Sequence, residues 1–277
     1  MRGRMFSLMV VIAIIGCFIG SPAAAAQAGP KNEDRSLPDS DYVAMGMPAF
    51  DREWIGDDFL TAARVLDSLA TRDASNLPRY RSANSGAMFD RIVSTRNLAF
   101  FSDKSISVNR RMVAAIKTGS AYSHIANTYQ TAVDAKKIGS GNLIELMGAN
   151  LRLMKALEQL ADEFEATLPA NDPLRANRQA GRARMREGLA LIVTATLTTL
   201  TEEKNYSAAA RARLAGYCRE TFPVLVSRLT TPAQIEVLNR LERLQNTPEV
   251  QPFQPAIARL RDEVRRATAL SSTSENE

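Results

Sequence analysis

VNRRMVAAIKTGSAYSHIANTYQTAVDAKKIGSGNLIELMGANLRLMKALEQLADEFEATL, residues 108–168, is the stretch that decides the fold. Val108, Met112, Ala115, Gly119, Tyr122, Ala126, Tyr129 and Val133 recur at alternating intervals of four and three. Residues three and four apart are neighbours on a helix surface, so these side chains form one stripe. After Gly139-Ser140-Gly141-Asn142, which reads as a turn, the spacing resumes at Leu143, Met147, Asn150, Met154, Leu157, Ala161, Phe164 and Leu168. Two helices joined by so short a turn pack antiparallel. The small residues Ala115, Gly119 and Ala126 allow the first helix a close neighbour.

Proline placement extends the pattern outward. No proline falls between Pro78 and Pro169 or between Pro173 and Pro223, and an interior proline costs a helix about 3 kcal/mol. Asp172-Pro173 reads as the start of a third long helix, with the seam Met185, Leu189, Ile192, Thr196 and Thr199. Its second half, Leu191 to Thr201, is β-branched and by local propensity suits a strand. No second strand is present to pair with it, so helix is the expectation. Shorter helices are expected at 57–72, at 88–95, from Ser207 to Thr221 with Pro223 ending or kinking it, from Thr231-Pro232 through Leu244, and along Ile257, Leu260, Val264 and Ala267. The expected fold is all-α: an irregular helical bundle built on three long helices with shorter flanking helices, one domain over residues 51–270.

Both ends differ in character. Arg2 and Arg4 precede an apolar run from Met5 to Gly20, too short for the roughly twenty residues that span a bilayer. Ala26 and Ala28 then supply a small-x-small cleavage pattern, so residues 1–28 read as a secretory signal peptide and the protein as periplasmic or secreted. Ile14-Ile15-Gly16-Cys17 loosely resembles a lipobox, but Phe18 and Ile19 place Cys17 inside the apolar run; cleavage near Ala28 is preferred to lipidation. Residues 29–50, with Pro30, Pro38 and Pro48 and no apolar period, read as a flexible leader, and 271–277 as a disordered polar tail.

Composition closes off much chemistry. The chain has 277 residues, 45% hydrophobic and 23% charged, which excludes disorder throughout, collagen and a polytopic membrane protein. One His and two Cys leave almost nothing for a zinc, haem or iron–sulfur centre, and no cofactor is expected. Ala121 stands three before His124, so there is no Glu-x-x-His pair, and HExxH, G-x-S-x-G, GxGxxG and P-loop strings are absent. His124 lies off the seam and reads as a solvated surface residue. Cleavage after Ala28 removes two arginines and no acid from a chain of net charge +5, leaving +3, too little to suggest nucleic acid. It also leaves Cys218 as the one cysteine, read as a buried apolar residue in preference to a subunit-pairing thiol.

Two charge patterns remain. Residues 31–73 carry ten acids and five bases, whereas 79–117 carry eight bases and two acids. A solvated face, docking of the acidic leader onto the basic segment, and weak contact of 79–117 with anionic lipid are the readings of that asymmetry. The second pattern lies at the turn between the second and third long helices. Glu158, Asp162 and Glu165 form one helical stripe, and the seam running back from Met185 passes through Arg182, Arg178 and Arg175. In an antiparallel hairpin Glu158 comes near Arg182, and Glu165 near Arg175 or Arg178. Structural pairing is therefore preferred to acid/base catalysis for the acids, and stems covering apolar surface to an anion site for the arginines.

The leading functional expectation is an exported, non-enzymatic helical protein that binds a partner or serves as an accessory scaffold. One alternative is a carboxylate acid/base enzyme acting on cell-envelope polymer through Glu158, Asp162 or Glu165. The other is a small-anion-binding protein centred on Arg175, Arg178 and Arg182.

Overall fold

Helix starts are set by local chemistry. Asp57 and Asp58 occupy a first turn, where the exposed N–H groups favour negative charge, and Asp58 Oδ2 accepts from the Ile55 N–H at 3.1 Å. Ser207 caps another helix by accepting from Ala210 N at 3.3 Å. The computed structural model describes residues 34–169, 172–173 and 175–274, with side chains as far as residue 269. In chain order its helices are α1 (Asp39–Ala44), α2 (Asp57–Asp73), α3 (Gly86–Val93), α4 (Ala99–Ser102), α5 (Val108–Asp134), α6 (Gly141–Ala166), α7 (Arg175–Thr199), α8 (Ala208–Ser227), α9 (Thr231–Gln245) and α10 (Gln254–Ser274). Among the described residues there is no strand, and the fold is all-α. The three long elements expected from the seams are α5, α6 and α7, of 27, 26 and 25 residues.

The β-branched end of α7 stays helical for a visible reason. Thr196, Thr198 and Thr199 donate their hydroxyls to the carbonyls of Ile192, Thr194 and Ala195 at 2.8–3.1 Å. These bonds satisfy the hydroxyls within the helix, while Ile192, Val193 and Leu197 are buried.

Packing runs α2–α5–α6–α8–α10–α9, each helix against the next. Because α5 and α6 each lie between two neighbours, one stripe does not describe their burial. On α5, Thr118, Ala121, Ile125, Thr128 and Ala132 are buried beside the seam. On α6, every residue from Asn142 to Leu151 is buried. α7 packs instead on α8 and α9. The closest approach is at Gly148 of α6, where a Cβ would stand 2.2 Å from Cδ2 of Tyr217 on α8.

Three boundaries differ from expectation. The stretch 29–50 was expected to be flexible, yet within it Tyr42 is fully buried and Met47 nearly so. Tyr42 accepts from Leu37 N at 3.1 Å and donates to the Asn76 carbonyl at 2.7 Å, and Asp39 Oδ1 accepts from Met88 N at 2.8 Å. Single anchors, invisible to periodicity, tie the segment down. Pro223 neither ends nor interrupts α8, which runs on to Ser227. Phe222, Leu225 and Val226 around it are fully buried, each worth roughly 1.5–3 kcal/mol, which together exceed the proline penalty. α10 extends to Ser274, into the expected tail. The expected signal peptide, and residues 29–33 of the leader, lie outside the described residues.

Part of the charge asymmetry is met by contacts between the two segments and part by Glu163 outside both. Lys117 pairs with Asp57 at 2.8 Å and Arg79 approaches Asp34 at 3.9 Å. Arg111, buried on α5, donates to the carbonyls of Phe101 and Ile106 at 2.9 Å and grips Glu163 of α6 with both terminal nitrogens, where Lys104 joins it.

Two predictions follow from these contacts. Gly148→Ala forces Tyr217 aside and lowers stability by about 1–3 kcal/mol, read as a fall in denaturant midpoint; an unchanged midpoint contradicts the close packing. Hydrogen bonds from Arg111 and Lys104 hold the Glu163 carboxyl at about 2, below its ordinary 4.5. A depressed carboxylate pKa contributes stability that is present above 4.5 and lost as pH falls towards 2. Glu163→Gln is expected to flatten the fall of melting temperature across that interval, and an undiminished slope rules the contribution out.

Candidate functional site

The acids and arginines singled out at the turn come together where α6 leaves the core. Beyond Leu160, which is buried, the seam residues Ala161, Phe164 and Leu168 are only half-buried. Here α6 and the start of α7 meet through long charged side chains instead of close backbone packing.

Arg182 is the hub. Its side chain is 9% exposed, and its Nη2 donates to Glu158 Oε2 at 3.0 Å and to Asp162 Oδ1 at 2.5 Å. Its Nη1 lies 3.4 Å from Glu165 Oε1. Arg228, at the C-terminal end of α8, takes the other Asp162 oxygen at 2.5 Å. Glu158 is buried more deeply than Arg182, and that burial pushes its carboxyl pKa above 4.5 although Arg182 and Arg186 pull it down. Desolvation outweighs the ion pair.

The expected arginines take three different places. Arg182 pairs with Glu158 as the hairpin register implies, whereas Glu165, expected beside Arg175 or Arg178, lies against Arg182 as well. Arg178 lies 3.3 Å from Asp172 and over the ring of Phe164, its carbon 5.5 Å from the centroid. Arg175 is exposed. All three, with Arg186, line an open cleft of about 520 Å³ that also includes Glu165, Asp172 and the apolar Leu168, Pro169 and Ala183. Several buried N–H groups on these arginines have no acceptor among the described residues: Arg178 Nη1, Arg182 Nε and Arg186 Nε. A buried donor without an acceptor costs about 1–3 kcal/mol, and the same is found away from the cleft at Arg211 Nε. No known protein family, no curated protein and no solved structure matches this chain.

Sequence reasoning missed Arg228, which reaches Asp162 from a helix end far along the chain with no periodic signal to link them. It also missed a second polar cluster, at the α6–α8 contact. There Glu145, buried on α6, accepts from Arg213 Nε at 2.7 Å and from the Tyr217 hydroxyl. Arg213 lies over the ring of Tyr80, and Arg152 over that of Tyr217, at 5.1 and 4.6 Å. Both carboxylate oxygens are occupied, so this cluster joins helices. His124 is exposed on α5. Cys218 is fully buried, and burial pushes its thiol pKa far up, away from the reactive thiolate.

Removing one member of a buried ion pair leaves the other uncompensated, at a cost of about 3–5 kcal/mol. Arg182→Met is therefore expected to lower stability by that amount, and Arg182→Met with Glu158→Leu to restore most of it. Equal losses in the single and double variants, measured by urea denaturation, rule out this pairing as the source.

Proposed function

We propose that the chain is an exported, non-enzymatic helical binding protein, and that an anionic group of its ligand or partner occupies the arginine cleft beside α7. The observation that carries this reading is the convergence of Arg175, Arg178, Arg182 and Arg186 on one open cleft, three of them with a buried guanidinium N–H that has no acceptor among the described residues. Arginine suits the role because its planar fork donates in pairs to carboxylate or phosphate oxygens. A cleft of about 520 Å³ lies within the usual size range of small-ligand sites. Leu168, Pro169 and Ala183 offer apolar contact to the body that carries the charge, and among the described residues no aromatic ring lines the cleft to stack on a base. Export is argued from the basic, apolar and small-residue order of residues 1–28, and no described helix is long and apolar enough to cross a membrane.

The enzyme alternative finds less support. Glu158, Asp162 and Glu165 all face Arg182, whereas a general acid must exchange its proton with substrate at hydrogen-bond distance. Nucleic acid stays outside the proposal on charge grounds.

Arg182 is tied into the fold, so the test uses the other two arginines. Arg178→Gln with Arg186→Gln is expected to weaken sulfate and citrate binding about tenfold or more, one tenfold step being 1.4 kcal/mol, while melting temperature moves little. Titration calorimetry at low ionic strength reads the affinity. Unchanged affinity, or a large loss of stability without loss of affinity, overturns the assignment.

A further inference from the structure

We propose that occupation of the arginine cleft is coupled to uptake of a proton by Glu158, so that the protein holds its anionic ligand in acid and gives it up as pH rises. The inference rests on the anion-binding reading above and names its regulation. Its basis is the sharing of Arg182. One nitrogen of that guanidinium, Nη2, serves Glu158 at 3.0 Å and Asp162 at 2.5 Å, and Nη1 faces Glu165 at 3.4 Å. The same side chain lines the cleft, and its Nε has no acceptor among the described residues. An incoming oxyanion and the internal carboxylates therefore compete for one cation.

The three acids are not equal competitors. Asp162 has Arg228 as a second partner at 2.5 Å, and Glu165 is exposed to water. Glu158 is 3% exposed at its side chain and its one hydrogen bond is from Arg182. The charged groups facing it are Arg182 and Arg186 from α7, Asp162 from α6 and Arg228 from the end of α8. Burial already raises its pKa above 4.5, so neutralising it is easier than neutralising a solvated acid. When a second anion arrives beside it, its carboxylate is disfavoured further and its pKa rises again. Between the free and the occupied values the complex holds more protons than the free protein. By linkage the affinity then rises as pH falls, by at most tenfold per pH unit for one proton. Counting the cleft together with the ion-pair network around Arg182, four carboxylates (Glu158, Asp162, Glu165, Asp172) stand against five guanidiniums (Arg175, Arg178, Arg182, Arg186, Arg228). Protonating Glu158 doubles that excess of one positive charge.

Sulfate is the probe, since it keeps its double charge from pH 5 to 8. The wild-type protein is expected to bind sulfate about fivefold or more tightly at pH 5 than at pH 8. Calorimetry in two buffers of different ionisation enthalpy should show protons taken up on binding. Glu158→Gln is expected to bind sulfate with nearly the same affinity at both pH values and without proton uptake. Wild-type affinity that does not change with pH, or a pH dependence that Glu158→Gln retains, overturns the coupling and leaves the cleft assignment standing. Absence of sulfate binding at every pH overturns both. Should Glu158→Gln fail to fold, wild-type proton uptake alone decides, and zero uptake refutes the inference.

Discussion

A helix with neighbours on two sides has no solvent-facing stripe to which its polar residues can retreat. That constraint governs α6, buried without interruption from Asn142 to Leu151. Each polar group on it must therefore find a partner within the protein, and the partners chosen are what join the molecule. Asn142 Oδ1 accepts from Tyr80 N at 2.7 Å and ties in the segment before α3. Glu145 draws Arg213 and Tyr217 of α8 on to α6, and Gly148 leaves room for the Tyr217 ring. Glu158 does the same for α7 through Arg182. The order of these residues along α6 is the order in which neighbouring elements attach to it.

Four buried arginines show two ways of hiding a guanidinium. Arg79 donates to the Ser75 carbonyl at 2.7 Å, and Arg211 to the carbonyls of Leu200 and Glu249 at 3.0 and 2.6 Å. Arg111 combines two carbonyls with Glu163. Peptide carbonyls do not titrate, and a charge held mainly by them is fixed over the whole pH range. Arg182 is held by carboxylates on α6. Its surroundings can change charge, as can those of Arg111 through Glu163, but among the described residues Arg182 is held by carboxylates alone, and one of them, Glu158, is buried.

How much of this was legible in the sequence follows from the range of each interaction. The alternation of four and three over residues 108–168 reports contacts along a helix surface, so α5, α6 and their antiparallel pairing could be read directly. It could not report that both helices have a second neighbour, because Thr118 and Thr128 on α5 carry no apolar signal for their buried positions. The segment around Tyr42 was misread for a related reason: scattered hydrogen bonds and the buried Tyr42 and Met47 hold it, and none has a period. Pro223 was judged by its local penalty, whereas Phe222, Leu225 and Val226 decide through tertiary burial. At the site, Arg182 opposite Glu158 was legible because a hairpin register is simple arithmetic. Arg228 was not, since it arrives from α8 at a position that only the finished packing determines.

The location of the cleft follows from the same constraint as the core. Along α6, packing is close at the Asn142–Leu151 end, where Gly148 meets the Tyr217 ring, and is made by long charged side chains from Glu158 onward. Apolar packing needs contact within about 4–4.5 Å, so where helices separate it no longer joins them. Long ion-paired side chains still can, and they leave space between the elements they connect. An opening lined by guanidiniums is thus what remains when α7 turns towards α8 and α9 while staying linked to α6 by Arg182. Apolar residues in place of Arg182 and Glu158 would close the pair at no loss of stability, but would remove the shared cation on which the cleft depends. Stability alone therefore does not require a buried arginine at this position, which is where the proposed anion site takes its support.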